Sequence, residues 1–421
     1  MLQGNAIVGQ SGGPTSVINA SLCGVVQSCF QLVHSDSKIE KVYGMQYGIQ
    51  GFMEGKVLDF GTIDRDDLEG LKSTPGSALG SCRHKVKDED FPIILEQLKK
   101  FNVRYYFLAG GNDTMDTICR VEEYCKSQGY ELRGVGVPKT VDNDLCETDH
   151  TPGFASAARY VAMSVKQAGV LARDMKKVDQ FVVFQTIGRS AGWLPAAAAL
   201  AKESPEDAPH IILVPEVSFN FDKFIAKARE IYAKHGFVSV VCGEGIKVFE
   251  EGQDFEKEGI PVSSLDADGR EIKKDAVLDK FGNQELGAMA GESVALRIHA
   301  MLTKHLVEGQ KSRGEFQITE SLPMCAADRA TRRDVDEAWQ CGRRAVELAL
   351  DGQSGVMVTM NRVSNDPYKI EYGTAPLRKV AVGAKPMTAD LIDAENMFVT
   401  PKCLEYLRPL VGELPKYVKL F

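Results

Sequence analysis

The chain has 421 residues, 44% of them hydrophobic and 26% charged, with a formal net charge of −8. That length predicts two or three packed lobes rather than one small core. The acidic balance argues against broad nucleic-acid or membrane-surface binding, while leaving room for a local basic pocket that takes an anion.

No apolar run approaches the roughly 20 residues a spanning helix needs, and Leu194 to Ala201 is among the longest. The N-terminus, Met1-Leu2-Gln3-Gly4, lacks the charged head and apolar stretch of a signal peptide. The ten cysteines form no CxxC pair. A cytoplasmic protein with reduced thiols is therefore expected. The seven histidines show no HExxH spacing, so zinc chemistry has no support.

In chain order, short apolar runs ending in glycine or a polar loop alternate with helical stretches, the signature of parallel βαβ units. Ala6-Ile7-Val8-Gly9 leads into Ser11-Gly12-Gly13, and Val17 to Phe30 reads as an amphipathic helix. Tyr105 to Ala109 leads into Gly110-Gly111, with a helix expected from about Met115 to Gln128. Gly134 to Val137 leads into Pro138-Lys139, and Phe181 to Phe184 leads towards Gly188-Arg189. Ile211 to Val214 and Val238 to Val241 continue the rhythm. The stretch of about 248–279 is charged and turn-rich and reads as an inserted flap. The part from about Val356 onward, with several prolines, reads as a smaller appended unit. No internal repeat or low-complexity tract interrupts the pattern.

Ligands of such sheets sit beyond the carboxyl ends of the strands, where three motifs fall. Ser11-Gly12-Gly13 lets backbone N–H groups approach an anion, although a tight turn also calls for glycine there. Gly110-Gly111-Asn112-Asp113-Thr114 combines glycines, a carboxylate and a hydroxyl, which suits a phosphate with a metal nearby or, more blandly, a capped helix start. Pro138-Lys139-Thr140-Val141-Asp142-Asn143-Asp144 sets a lysine beside two acids, which point the same way if the segment is extended. A lysine there can hold a phosphoryl group while one carboxylate takes a proton from the attacking hydroxyl. The set matches neither GxxxxGK[ST] nor GxGxxG.

Together these motifs resemble the phosphofructokinase family, and the series continues in order. GSCR lies at Gly80–Arg83, IGRSAGW at Ile187–Trp193, PEV at Pro215–Val217 and GEG at Gly243–Gly245. The bacterial pyrophosphate-dependent branch is the nearer match. It also carries DKFG, here Asp279–Gly282, and a DEA-type helix start, here Asp336–Ala338. The resemblance implies an α/β fold of two doubly wound parallel-sheet domains with an inserted flap and a small C-terminal extension. The donor-binding domain would take 1–154 plus about 325–365, the acceptor-binding domain 155–324, and the extension 366–421.

The resemblance also implies chemistry. ATP-using members resemble GGDGS and PGTIDND, whereas this chain has Asp113 and Lys139 where those have glycine. Added bulk and negative charge at 113, with a cation at 139, favour pyrophosphate over ATP. By resemblance, Asp142 is the general base, Asp144 its support, and Lys139 and Arg189 the cations of the catalytic set. Gly12, Gly13, Arg83, Gly111, Asn112, Asp113, Thr114 and Thr140 would surround the donor. Thr140, Asp142, Ile187, Gly188, Arg189, Glu244, Arg313 and Met324 would surround the acceptor. Magnesium is the expected cofactor, with Asn112 and Asp113 as its candidate ligands. The partners implied are pyrophosphate and a small sugar-like acceptor, within a homodimer or homotetramer.

The acceptor end departs from the family. LQRCA becomes Leu322-Pro323-Met324-Cys325-Ala326, so a methionine stands where an arginine grips the acceptor's 6-phosphate. Glu315 replaces a common lysine, and Gln185 and Ile187 replace the usual glutamate and methionine. Loss of a charge-assisted phosphate contact typically costs about 2–5 kcal/mol. Three readings stay open: a phosphofructokinase that holds the 6-phosphate with other residues, among them Arg313, Arg329, Arg332 or Arg333; the same chemistry on an uncharged sugar, polyol or nucleoside; and a non-catalytic regulatory subunit.

Overall fold

A computed structural model of the chain describes residues 2–36, 39–248 and 293–420. In chain order its main strands are β1 (Gly4–Gln10), β2 (Ile39–Met45), β3 (Val57–Asp59), β4 (Val103–Gly110), β5 (Arg133–Pro138), β6 (Phe181–Thr186), β7 (Ile211–Leu213), β8 (Val238–Gly243), β9 (Gly314–Ile318), β10 (Val356–Asn365) and β11 (Tyr368–Pro376). They form a seven-stranded sheet, β11-β10-β5-β4-β1-β2-β3, and a four-stranded sheet, β7-β8-β6-β9. The larger sheet is parallel from β2 to β10, with β3 and β11 added antiparallel at its edges. The smaller sheet is parallel throughout.

The chain divides into two compact units. The first holds Met1–Ala157 and Met324–Lys385 and the second Ala158–Pro323 and Pro386–Phe421. Residues after 365 are thus shared: 366–385 pack with the first unit and 386–421 with the second. The expected flap, apart from Val248, and the Asp279–Gly282 motif lie outside the described residues.

The first unit is doubly wound because its central strands bury both faces, as continuous apolar runs in parallel sheets do. Alternation sorts the side chains between two cores. Ala6, Val8, Tyr105 and Phe107 face the helices Ile18–Asp36 and Arg332–Leu350, whereas Ile7, Tyr106 and Leu108 face the helices Phe91–Lys100 and Asn112–Ser127. The first two helices approach backbone to backbone: a Cβ at Gly24 would lie 2.0 Å from the Trp339 carbonyl oxygen, and one at Gly342 2.1 Å from that of Ser21. Glycine is required at both.

In the second unit, Phe181, Val183, Val238, Val240 and Cys242 pack against the helices Phe221–His235 and Val294–His305. Val182 turns to the opposite face with Ala172 and Phe237. Among the described residues no helix is long and apolar enough to cross a membrane.

Some boundaries differ from expectation. The first helix begins at Ile18 and runs to Asp36. The helix containing Asp336–Ala338 begins a turn earlier, at Arg332, because the Thr331 hydroxyl caps the Asp334 N–H.

Candidate active site

In the first unit the three sequence motifs meet at the carboxyl ends of β1, β4 and β5. Gly12 turns the chain at φ 75°, a left-handed conformation that favours glycine. Its N–H donates to the Cys82 carbonyl (3.1 Å), while the Ser81 hydroxyl donates to the Gly12 carbonyl (2.6 Å), so the GSCR segment and the glycine turn are stitched together. Arg83 extends from that segment and is exposed.

Lys139 lies beneath the turn. Its Nζ donates to the Gly13 carbonyl at 2.6 Å, and the side chain is only 5% exposed. Burial pulls its ammonium down to about 8, against the raising influence of Asp142 and Asp144, while Arg83 adds to the lowering.

After β4, Gly111 takes the cap position and the helix starts at Asn112, not near Met115. Asn112, Asp113 and Thr114 therefore occupy the first turn, where a helix offers N–H groups to an anion. Thr114 is buried and Asp113 exposed. The Asn112 amide donates to the carbonyls of Val380 (3.2 Å) and Gly383 (2.5 Å), leaving its own oxygen as an acceptor.

The two acids after β5 are not on an extended segment. Asn143 between them is left-handed at φ 56°, so period-two alternation does not apply. The segment is shaped instead by local bonds. The Thr140 hydroxyl accepts the Asp142 N–H (3.1 Å), and the Asp144 carbonyl accepts the Lys385 N–H (2.7 Å). Burial raises the Asp144 carboxyl, opposed by its own N–H, the Thr140 hydroxyl, Lys385 and Lys139. Both acids act electrostatically on Lys139, which is what joins them into one group.

Met324 belongs to this unit. Its methyl would lie 2.5 Å from a Cβ built on Gly13, so it packs over the glycine turn of the expected donor side. A thioether there offers an anion no charge-assisted bond.

In the second unit, Ile187, Gly188 and Arg189 follow β6, and Glu244 follows β8. The Glu244 N–H donates to the Thr186 carbonyl (3.0 Å), and its carboxylate accepts the Gly188 N–H (3.2 Å). A Cβ at Gly245 would fall 1.8 Å from the Arg189 carbonyl oxygen, so only glycine lets these loops touch. Burial raises the Glu244 carboxyl, opposed by the Gly188 N–H and Arg189, and Glu320 raises it further. Ile187 is half-buried and Arg189 exposed.

Arg313 does not join this group. Gly314 pairs with Phe181, so Arg313 stands at the amino end of β9, a full strand length from Gly188. There it pairs with Asp179 (2.8 Å) and shares two backbone-linked bonds with Gln180. The parallel register excludes it from the cluster at the strands' carboxyl ends.

Three further residues shape these loops. Glu320 follows β9 at φ 44°, and the preceding Thr319 N–H donates to Gln185, placing Glu320 on the opposite side of β6 from Glu244. Glu216 of PEV accepts N–H bonds from Gly192 (2.9 Å) and Met387 (2.8 Å), a brace for the IGRSAGW loop. Lys385 ties Asp144 to Thr148 and Asp149. Glu216 lies in the PEV motif, but its bracing role, like the places of Glu320 and Lys385, follows from no local spacing. Gln185, by contrast, is a buried strand residue whose amide oxygen accepts the Ala295 N–H (2.8 Å).

Among the described residues no group of three or more His, Cys, Asp or Glu forms a metal-binding cluster. Asp142 and Asp144 supply carboxylate oxygens of the kind that magnesium takes, one or two at a time, together with substrate phosphates.

A glycine-lined anion cradle with a buried lysine and two carboxylates at the ends of parallel strands defines a phosphate-handling α/β protein. The chain belongs to the phosphofructokinase family, whose model matches residues 5–314. It is 35% identical to a pyrophosphate–fructose 6-phosphate 1-phosphotransferase of Halomonas elongata, covering 100% of this chain and 97% of that protein. It is 28% identical to a sulfofructose kinase of Alkalicoccus urumqiensis, covering 91% and 90%. A solved pyrophosphate-dependent phosphofructokinase from Marinobacter aquaeolei superposes with a TM-score of 0.81 at 32% identity, covering 99% of this chain and 94% of that one.

Proposed function

We propose that the chain transfers a phosphoryl group from pyrophosphate to the 1-hydroxyl of fructose 6-phosphate, giving fructose 1,6-bisphosphate and phosphate. The observation that carries this is Lys139, a buried cation under the Gly12-Gly13 turn and within electrostatic reach of Asp142 and Asp144. The full-length relatives named for this reaction support it.

Asp142 accepts the proton of the acceptor hydroxyl as that oxygen bonds to phosphorus. The bridging P–O bond of pyrophosphate breaks, and its electron pair leaves with phosphate. Lys139, Arg83 and the N–H groups of the glycine turn and the Asn112 helix hold the donor, while Arg189 balances charge on the transferred group. Glu244 binds acceptor hydroxyls. Asn112 and Asp113, with Asp142 or Asp144, would hold magnesium, which would supply further charge neutralisation. The unit of function is a homodimer or homotetramer, which light scattering on a sizing column tests.

A second reading keeps the chemistry and changes the acceptor. Arg313 at the far end of its sheet, Glu320 within electrostatic reach of Glu244, and a thioether at position 324 in place of a cation together favour an acceptor end without a dianionic phosphate. The deciding experiment follows phosphate release from pyrophosphate and magnesium with fructose 6-phosphate, set against unphosphorylated sugars, polyols and nucleosides. Turnover with fructose 6-phosphate supports the first reading. Turnover with an uncharged acceptor alone supports the second.

A further inference from the structure

One doubly bonded buried side chain in the first unit is not used by the reaction. His150 is fully buried, with Nδ1 2.8 Å from Asp149 and Nε2 2.7 Å from Glu337. A carboxylate against each ring nitrogen calls for a proton on both, so the ring is an imidazolium. Burial alone would push its pKa down, but the bonds to Asp149 and Glu337 outweigh that and hold it above the ordinary histidine value.

The partners are themselves anchored. Arg362 pairs with Asp149 (2.8 Å), and the Tyr368 hydroxyl donates to Glu337 (2.6 Å). Arg333 lies 4.0 Å from the Tyr368 ring centroid. Lys385 donates to the carbonyls of Thr148 (3.0 Å) and Asp149 (2.7 Å). Asp334, one helical turn before Glu337, accepts the Gly153 N–H at 2.9 Å. His150 thereby pins the 148–153 segment to the helix Arg332–Leu350 and to the β10–β11 hairpin.

That segment touches the catalytic loop directly. The hydroxyl of Thr151, the next residue, donates to the Thr140 carbonyl (2.8 Å), and Thr140 forms a β-bridge with Gly153. The Thr140 hydroxyl in turn accepts the Asp142 N–H. We propose that His150 is a positioning residue: its doubly bonded ring fixes the 148–153 segment, which holds the Thr140–Asp142 loop and so sets where the Asp142 carboxylate stands. The step from loop to rate rests on the role given above to Asp142; the step from His150 to loop does not.

His150→Gln tests both steps in the full chain. Backbone amide exchange is followed peptide by peptide, alongside steady-state kinetics with pyrophosphate and fructose 6-phosphate. The expected result is at least about tenfold faster exchange across 139–146, with the peptides of β4 and the Asn112–Ser127 helix unchanged. kcat falls about tenfold, while the KM for pyrophosphate stays within twofold. Unchanged exchange at 139–146, or a uniform rise through the first unit, overturns the proposal. Faster local exchange in the variant, with a wild-type chain that shows no pyrophosphate-dependent turnover, upholds the positioning step and sinks the function above. If His150→Gln does not fold, Glu337→Gln, which removes one anionic partner and keeps the packing, is read the same way.

Discussion

Lys139 gives the site a pH dependence whose size can be worked from its surroundings. Its ammonium titrates near 8 because burial outweighs the raising influence of Asp142 and Asp144. Below that value it is charged and attracts pyrophosphate; above it the amine is neutral and the attraction is lost. At pH 9, one unit above its pKa, only about a tenth of the chains carry the charge. Losing a charge-assisted contact to a buried phosphate oxygen costs about 2 kcal/mol or more, so affinity should fall by nearly the whole charged fraction. The dissociation constant for metal-free pyrophosphate is therefore expected to rise about tenfold between pH 7 and pH 9. Calorimetric titration across that range measures it. Lys139→Arg, whose guanidinium stays charged throughout, should flatten the curve even if it binds more weakly. A wild-type curve that is flat from pH 7 to pH 9.5, or an equally steep one in Lys139→Arg, would refute the assignment.

Other perturbations separate the remaining roles. Asp142→Asn should lower turnover by at least about a hundredfold while the urea midpoint stays put, and near-normal turnover would remove Asp142 as the base. Asp113→Gly with Lys139→Gly should weaken pyrophosphate use and admit measurable ATP use; unaltered pyrophosphate kinetics would mean that donor choice is set elsewhere. Glu320→Gln, which removes a negative charge that acts electrostatically on Glu244, should lower the KM for fructose 6-phosphate several-fold, about the effect of one nearby charge at a partly wet surface. A KM that stays the same or rises would separate Glu320 from acceptor choice.

The placement of the expected donor motifs at strand ends was largely legible, because their groups sit in short contiguous motifs next to buried strands. Gly12, Asn112 and Lys139 each follow an apolar run that ends where a parallel strand must end. The geometry within those motifs was less legible. Spacing alone puts Asp142 and Asp144 on one face if the segment is extended, whereas the left-handed Asn143 between them bends the chain and leaves both acids within electrostatic reach of Lys139. Arg313 was misjudged because its place follows from pairing with β6, a register that the residues around it do not encode. The roles of Glu320, Glu216 and His150 were missed for a related reason. Each acts through partners distant in sequence, such as Glu337 for His150 and Met387 for Glu216.

The first unit is built from two separated stretches of chain, and this bears on how it comes into being. Strand β10 completes the sheet beside β5, and the helix Arg332–Leu350 presses its Gly342 against Ser21 of the first helix. Both pieces leave the ribosome only after the stretch Ala158–Pro323 of the second unit has been made. During that interval β5 presents an open edge, and one face of the sheet lacks one of its two covering helices, the conditions under which nascent chains aggregate. Production of this protein should therefore depend on whatever shields nascent chains more heavily than its finished stability would indicate. A chain stopped before residue 356 would keep every donor motif and still lack the strand that closes their sheet.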